Sequence, residues 1–96
     1  MNSLLKNKKC QISQGEWMFI NKSPDGKNNI CGERVAIFRK KMNISQRKLA
    51  ERLQIAGIDV DKNAIQRIEC GKRFVTDIEL IALSSVLECS LEELLL

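Results

Sequence analysis

From residue 31 onward, apolar positions recur at helical spacing, and polar or glycine stops divide them into segments. Val35, Phe38 and Met42 fall at i, i+3 and i+7, which predicts a first helix from about Cys31 to Met42 with that stripe inward. Arg34, Arg39, Lys40 and Lys41 complement the negative end of its dipole, and Asn43 suits the left-handed residue that ends a helix. Ile44 returns to the core, and Ser45 is the N-cap candidate of a second helix whose inward face is Leu49, Ala50 and Leu53. That helix is free to continue through Gln54, Ile55 and Ala56 to a stop at Gly57, with Ile58 and Val60 as anchors beyond. Asp61 opens a third helix, about Lys62 to Cys70, turned inward through Ile65 and Ile68. Phe74 and Val75 are expected to pack back after Gly71. Thr76-Asp77-Ile78-Glu79 is a capping box, and Leu80, Ile81, Leu83, Ser84 and Leu87 follow it at helical spacing. Ser90-Leu91-Glu92-Glu93 is a second capping box, opening a final helix from Leu91 to about Leu95. The fold class this predicts is all-α, with five helices in residues 30–96.

Residues 1–29 read differently. Asn, Lys, Ser and Gln dominate, as in an N-terminal extension or arm. Within it Trp17-Met18-Phe19-Ile20 is a compact apolar run: a short strand, or a segment that docks on the domain or on a second subunit. Ser23-Pro24-Asp25-Gly26 reads as a turn, and Lys6, Lys8 and Lys9 suit an arm that touches a nucleic-acid backbone.

Charge sharpens this picture more than composition does. Residues 30–73 carry eleven Lys and Arg against five acids, whereas residues 74–96 carry five acids and no Lys or Arg. The basic charge thus surrounds the second and third helices, as expected of a part that faces phosphates. The plainer account is solvation of exposed helix faces. At 96 residues and 44% apolar the chain suits one small domain with a tail. No apolar run approaches the ~18–20 residues that cross a membrane, and no secretory leader is recognisable, so a cytoplasmic protein is expected. Cysteines stand at 10, 31, 70 and 89 with no CxxC pair, and histidine is absent, so neither metal spacing nor His-based acid–base chemistry is present. They read as reduced thiols, Cys89 in or near the core and Cys70 exposed, where a redox role stays open. With no phosphate-binding glycine loop and no nucleophile motif, an enzyme is not expected. Nor is a cofactor, a metal or a small-molecule ligand.

The third helix holds the candidate chemistry. Lys62, Asn63, Gln66 and Arg67 lie outward between its apolar positions, and Asn and Arg make paired hydrogen bonds to adenine and guanine edges in a major groove. At these residues the chain resembles a known family, the phage repressor and Cro type of helix-turn-helix domain, often called the XRE family. The resemblance rests on Val35-Ala36-Ile37-Phe38-Arg39, on Ile44-Ser45-Gln46-Arg47-Lys48-Leu49-Ala50, on Ala64 through Arg73, and on the Leu87-to-Leu94 close. It implies a five-helix, lambda-repressor-like bundle whose third helix enters the major groove. By position it implies base contacts at Lys62, Asn63 and Arg67, with Gln66 beside them as a further candidate. Phosphate contacts fall at Gln46 and Arg47, at the exposed start of helix 2, and at Lys72 and Arg73 after helix 3. It also implies a structural ion pair, Arg39 with Glu69. The connection from Ala50 to Glu69 is about five residues longer than the family's common pattern, so helix 2 is longer, its turn is wider, or both.

The expected function is a sequence-specific regulator of double-stranded DNA, a repressor that binds a palindromic operator as a homodimer. Leu91–Leu96 or Trp17–Ile20 are the candidate dimer contacts. If instead only Leu91 and Leu94 close the core, the other leucines are simply exposed. The alternative is a protein-interaction module of the same fold, an antitoxin or assembly subunit, with DNA binding secondary.

Overall fold

Four of the five helices open on a side chain that takes a free backbone N–H. Ser45 accepts from Lys48 N–H, Asp61 from Ala64 N–H, Thr76 from Glu79 N–H and Ser90 from Glu93 N–H. In the last two the glutamate carboxylate reaches back to the cap residue's own N–H, at 3.0 Å for Thr76 and 2.8 Å for Ser90. Each such cap is worth ~1 kcal/mol, and each fixes where its helix begins. The computed structural model describes residues 22–96. Among these it contains α1 (Gly32–Lys41), α2 (Gln46–Ile55), α3 (Lys62–Glu69), α4 (Asp77–Leu87) and α5 (Leu91–Leu95), and no strand. The arm's Trp17–Ile20, Lys6, Lys8 and Lys9 lie outside the described residues.

One core joins the five helices. Val35, Leu49, Leu53, Ile65, Ile68, Leu83 and Leu94 are sealed from solvent, and Phe38, Met42, Ile44, Ile58, Val75 and Leu80 pack against them. α3 lies between α1 and α2, α4 closes over both α1 and α2, and α5 lies across α1 and α4. The long connection is divided as the sequence allowed. α2 runs ten residues to Ile55, Gly57 takes a left-handed turn at φ +93°, and Val60 is buried on the way into α3. Asn43 ends α1 at φ +58°, as its position suggested.

Some expectations are corrected. Arg34 does not serve its own helix. Its Nη1 and Nη2 donate to the carbonyls of Glu93 and Leu96, at 2.7 and 2.9 Å, so its charge sits at the carbonyl end of α5. Phe74 is 55% exposed and only Val75 packs inward. Ile81 shares an outward face of α4 with Ile78, because the buried stripe runs through Leu80, Leu83 and Leu87. In the terminal leucines, Leu94 is buried and Leu95, rather than Leu91, packs beside it, leaving Leu91 and Leu96 exposed. α1 starts at Gly32 with no cap bond from Cys31; its first N–H is taken by Asn29 Oδ1, at 2.9 Å.

Candidate nucleic-acid interface

α3 is two-faced because its apolar residues fall at 64, 65 and 68. Ala64, Ile65 and Ile68 are buried, which leaves Lys62, Asn63, Gln66 and Arg67 exposed. The helix ends at Glu69 with Cys70 as its C-cap, and Gly71 follows at φ +80°, turning the chain sharply. Lys72 is thereby returned to the helix's outer side. Asn63, Gln66, Arg67, Cys70 and Lys72 line one shallow concavity of about 310 Å³. Three of the four expected base-contacting side chains and one expected phosphate contact are thus brought together; Lys62 stands exposed at the helix start outside it. Cys70 was not among the expected site residues. Its signal was present, since it falls three and four residues after Arg67 and Gln66 on the same helical face.

The start of α2 is held to the end of α3 through one carboxylate. Glu69 receives Arg39 Nε at 2.7 Å and Arg39 Nη2 at 3.1 Å, a two-pronged pair, and Gln46 Nε2 at 2.9 Å. Arg39 Nη1 also donates to Ile44 O at 2.8 Å, so α1, the α1–α2 turn, α2 and α3 meet at this point. The pair is well enclosed, with 11% of the arginine side chain and 8% of the glutamate side chain exposed. It is the ion pair the resemblance implied. The longer α2–α3 connection therefore does not detach α3 from Gln46. Ser45 takes only the N–H of Lys48, and among the described residues no acceptor faces the N–H groups of Gln46 and Arg47. Those two N–H groups, the second Nε2 hydrogen of Gln46 and the exposed Arg47 side chain form a small cationic corner.

Arg73 is placed otherwise than expected. Its guanidinium makes a two-pronged bond to Glu79, Nη1–Oε1 at 2.9 Å and Nη2–Oε2 at 3.0 Å, and Nη1 also donates to Phe74 O. The arginine hydrogen bond, with help from Thr76, holds the Glu79 carboxyl below the usual carboxylate range. The same bond raises Arg73 further. Its charge is occupied at the start of α4, so of the expected pair of clamp residues only Lys72 presents a free cation to the concavity. Nothing in the residue pattern ranks Glu79 against a phosphate as the partner.

These contacts place a polar helix face, a cationic helix start and a lysine turn on elements that share one core. The sequence model of one family, described as helix-turn-helix, matches residues 35–94, and so spans α2, α3 and the turn between them. The chain belongs to this helix-turn-helix family of DNA-binding domains, of the XRE and Cro/C1 type. The family is one of binding domains rather than enzymes. Among solved structures the chain is similar to the P22 c2 repressor protein, crystallised in complex with the synthetic operator 9T in the presence of Tl+. The two are 33% identical with a TM-score of 0.60, over 70% of this chain and 94% of that one. No curated protein matches the sequence. In the helix-turn-helix domain described here, α3 corresponds to the recognition helix, the element that such folds lay in the major groove. No helix among the described residues is long and apolar enough to cross a membrane.

The three cysteines of the domain differ sharply. Burial pushes the thiols of Cys31 and Cys89 up, which keeps them protonated and slow toward electrophiles. Cys70 is free and exposed in the concavity. Iodoacetamide is therefore expected to label Cys70 ahead of Cys31 and Cys89, and bound duplex is expected to slow that labelling. Equal labelling with and without saturating duplex would place the DNA away from this face.

Proposed function

We propose that the protein is a cytoplasmic, sequence-specific binder of double-stranded DNA that acts as a repressor by occupying a promoter, and that it binds a palindromic operator as a homodimer. The observation that carries this reading is the concavity of α3, where Asn63, Gln66 and Arg67 stand exposed beside Lys72 on a helix whose opposite face is locked in the core. Asn and Gln match adenine, and Arg matches guanine, in the donor and acceptor pattern of the major groove. Lys62 extends the reading face at the N-terminal end of α3. Lys72, Arg47 and the free N–H groups at the start of α2 bind phosphates and set the register. Arg73 is left out of the contact set because Glu79 holds it. That the similar P22 c2 repressor was crystallised in complex with an operator supports the DNA-binding reading.

Selection from a random duplex library at near-physiological salt tests the reading. Enrichment of an inverted repeat, with half-sites about one turn (~34 Å) apart, is the expected result. Within it, Arg67→Ala should cost ~1–3 kcal/mol and relax preference at one base pair, whereas Lys72→Ala should weaken all duplexes alike. Equal losses from Arg67→Ala on selected and random duplexes would remove it from base reading.

A protein-interaction module of the same fold is the second reading. It is favoured by the apolar side chains that α4 and the preceding turn leave in solvent, Phe74, Ile78 and Ile81. Library selection without any enriched sequence, together with a stable complex formed through those side chains, would favour it over operator binding.

A further inference from the structure

The turn that carries Lys72 is gripped from two sides. From α3, Arg67 O accepts the N–H groups of Lys72 at 2.8 Å and Arg73 at 3.3 Å. The carbonyls of the same turn face the opposite way, and residues 28 and 29 take all three. Asn28 N–H donates to Gly71 O at 2.7 Å, Asn28 Nδ2 to Lys72 O at 2.9 Å and Asn29 Nδ2 to Arg73 O at 2.7 Å. Asn29 also donates to Ile68 O at 3.1 Å and accepts the N–H of Gly32, so it joins α1 to α3. The Lys27 side chain lies flush on Gly71, its carbons 2.7–3.0 Å from where a Cβ would stand. Asn28 is half-buried, and its side chain makes one bond to the turn, that to Lys72, while its Oδ1 accepts from Lys22 Nζ at 2.9 Å.

We infer that Asn28 is a positioning residue for the phosphate contact of Lys72, so that the end of the N-terminal extension supports the DNA-binding surface from behind. The inference rests on the proposed DNA reading. Asn28 touches no DNA itself in this account. It fixes the backbone from which the Lys72 stem springs, so the ammonium has less freedom to lose when it meets a phosphate. Asn29 has a different weight: it carries three bonds between helix ends, and its loss acts on folding first.

The test uses the full chain, a duplex of random sequence and a salt titration. A neutral hydrogen bond is worth ~0.5–1.5 kcal/mol, so Asn28→Ala should weaken binding by roughly 3- to 10-fold at low salt. Each phosphate contact contributes ~0.9 to the slope of log K against log salt, so the variant should flatten the slope by up to about that amount. Lys72→Ala should flatten it by the same step. In the Lys72→Ala background Asn28→Ala should then do nothing further. Asn28→Asp removes the same donor but also adds a negative charge beside the turn, so it should weaken binding beyond Asn28→Ala. A purely structural role would lower the melting temperature while leaving the slope and the additivity intact, and that result overturns the inference. If Lys72→Ala flattens the slope and Asn28→Ala does not, the inference fails alone. If Lys72→Ala leaves the slope unchanged, the phosphate role of Lys72 fails and takes this inference with it.

Discussion

Glu69→Ala is expected to lower the stability of the domain by ~3–5 kcal/mol, because it strips an enclosed guanidinium of its carboxylate. Arg39 would keep only Ile44 O as an acceptor, in a site where its side chain is 11% exposed. Gln46 would lose its partner at the same time. For a domain of this size each kcal/mol moves the melting temperature by ~4–8 °C, so a shift of at least ~12 °C is expected. Urea unfolding of the variant and the parent measures the difference. The double variant Arg39→Met/Glu69→Leu should recover most of the loss, since apolar residues of similar volume cost little where an unpaired charge costs much. A loss under ~1 kcal/mol in Glu69→Ala would mean the pair is screened as a surface pair is. The functional consequence follows from Gln46: with no carboxylate to hold its amide, the start of α2 loses its register against α3. The start of α2 is then no longer tied by this bond to the end of α3.

Local chemistry made much of this legible. Ser45, Asp61, Thr76 and Ser90 open helices where they stand, because a cap needs only a side-chain oxygen and an N–H two or three residues on. The outward set Lys62, Asn63, Gln66 and Arg67 was visible because the buried positions of α3 fix the opposite face. What stayed hidden is non-local. Asn28 and Asn29 bond to residues 39 to 44 positions away, and Arg34 reaches 59 and 62 positions to α5. No periodicity encodes such partners. Apolar character alone misplaced Phe74 and Ile81, since hydrophobicity does not say which of two neighbouring stripes a helix turns inward. Arg73 shows a third limit: its charge was evident, but the choice between Glu79 and a phosphate is a matter of geometry.

Gly32→Ala is expected to destabilise the protein, although alanine favours a helix over glycine by ~1 kcal/mol. That figure holds for a helix interior, and Gly32 is the first residue of α1, so the gain there is smaller. Here the added Cβ would stand 2.1 Å from Ile68 O and 2.9 Å from Asn29 Oδ1. The first contact is with backbone, which cannot swing aside as a side chain does, so α1 and the end of α3 must separate. Forcing atoms into a filled core costs ~1–3 kcal/mol and sometimes more; a net loss of roughly 2 kcal/mol or above is the expected result by urea unfolding. Displacing Asn29 also disturbs its bonds to Ile68 O and Arg73 O, so the turn that presents Lys72 shifts with the helix. The surviving folded fraction should accordingly bind duplex more weakly than its folded concentration predicts. A variant as stable as the parent, or more stable, would show that α1 and α3 do not approach this closely. Glycine at this position is what lets the end of α3 lie against the start of α1, and through Asn29 against the turn that carries Lys72.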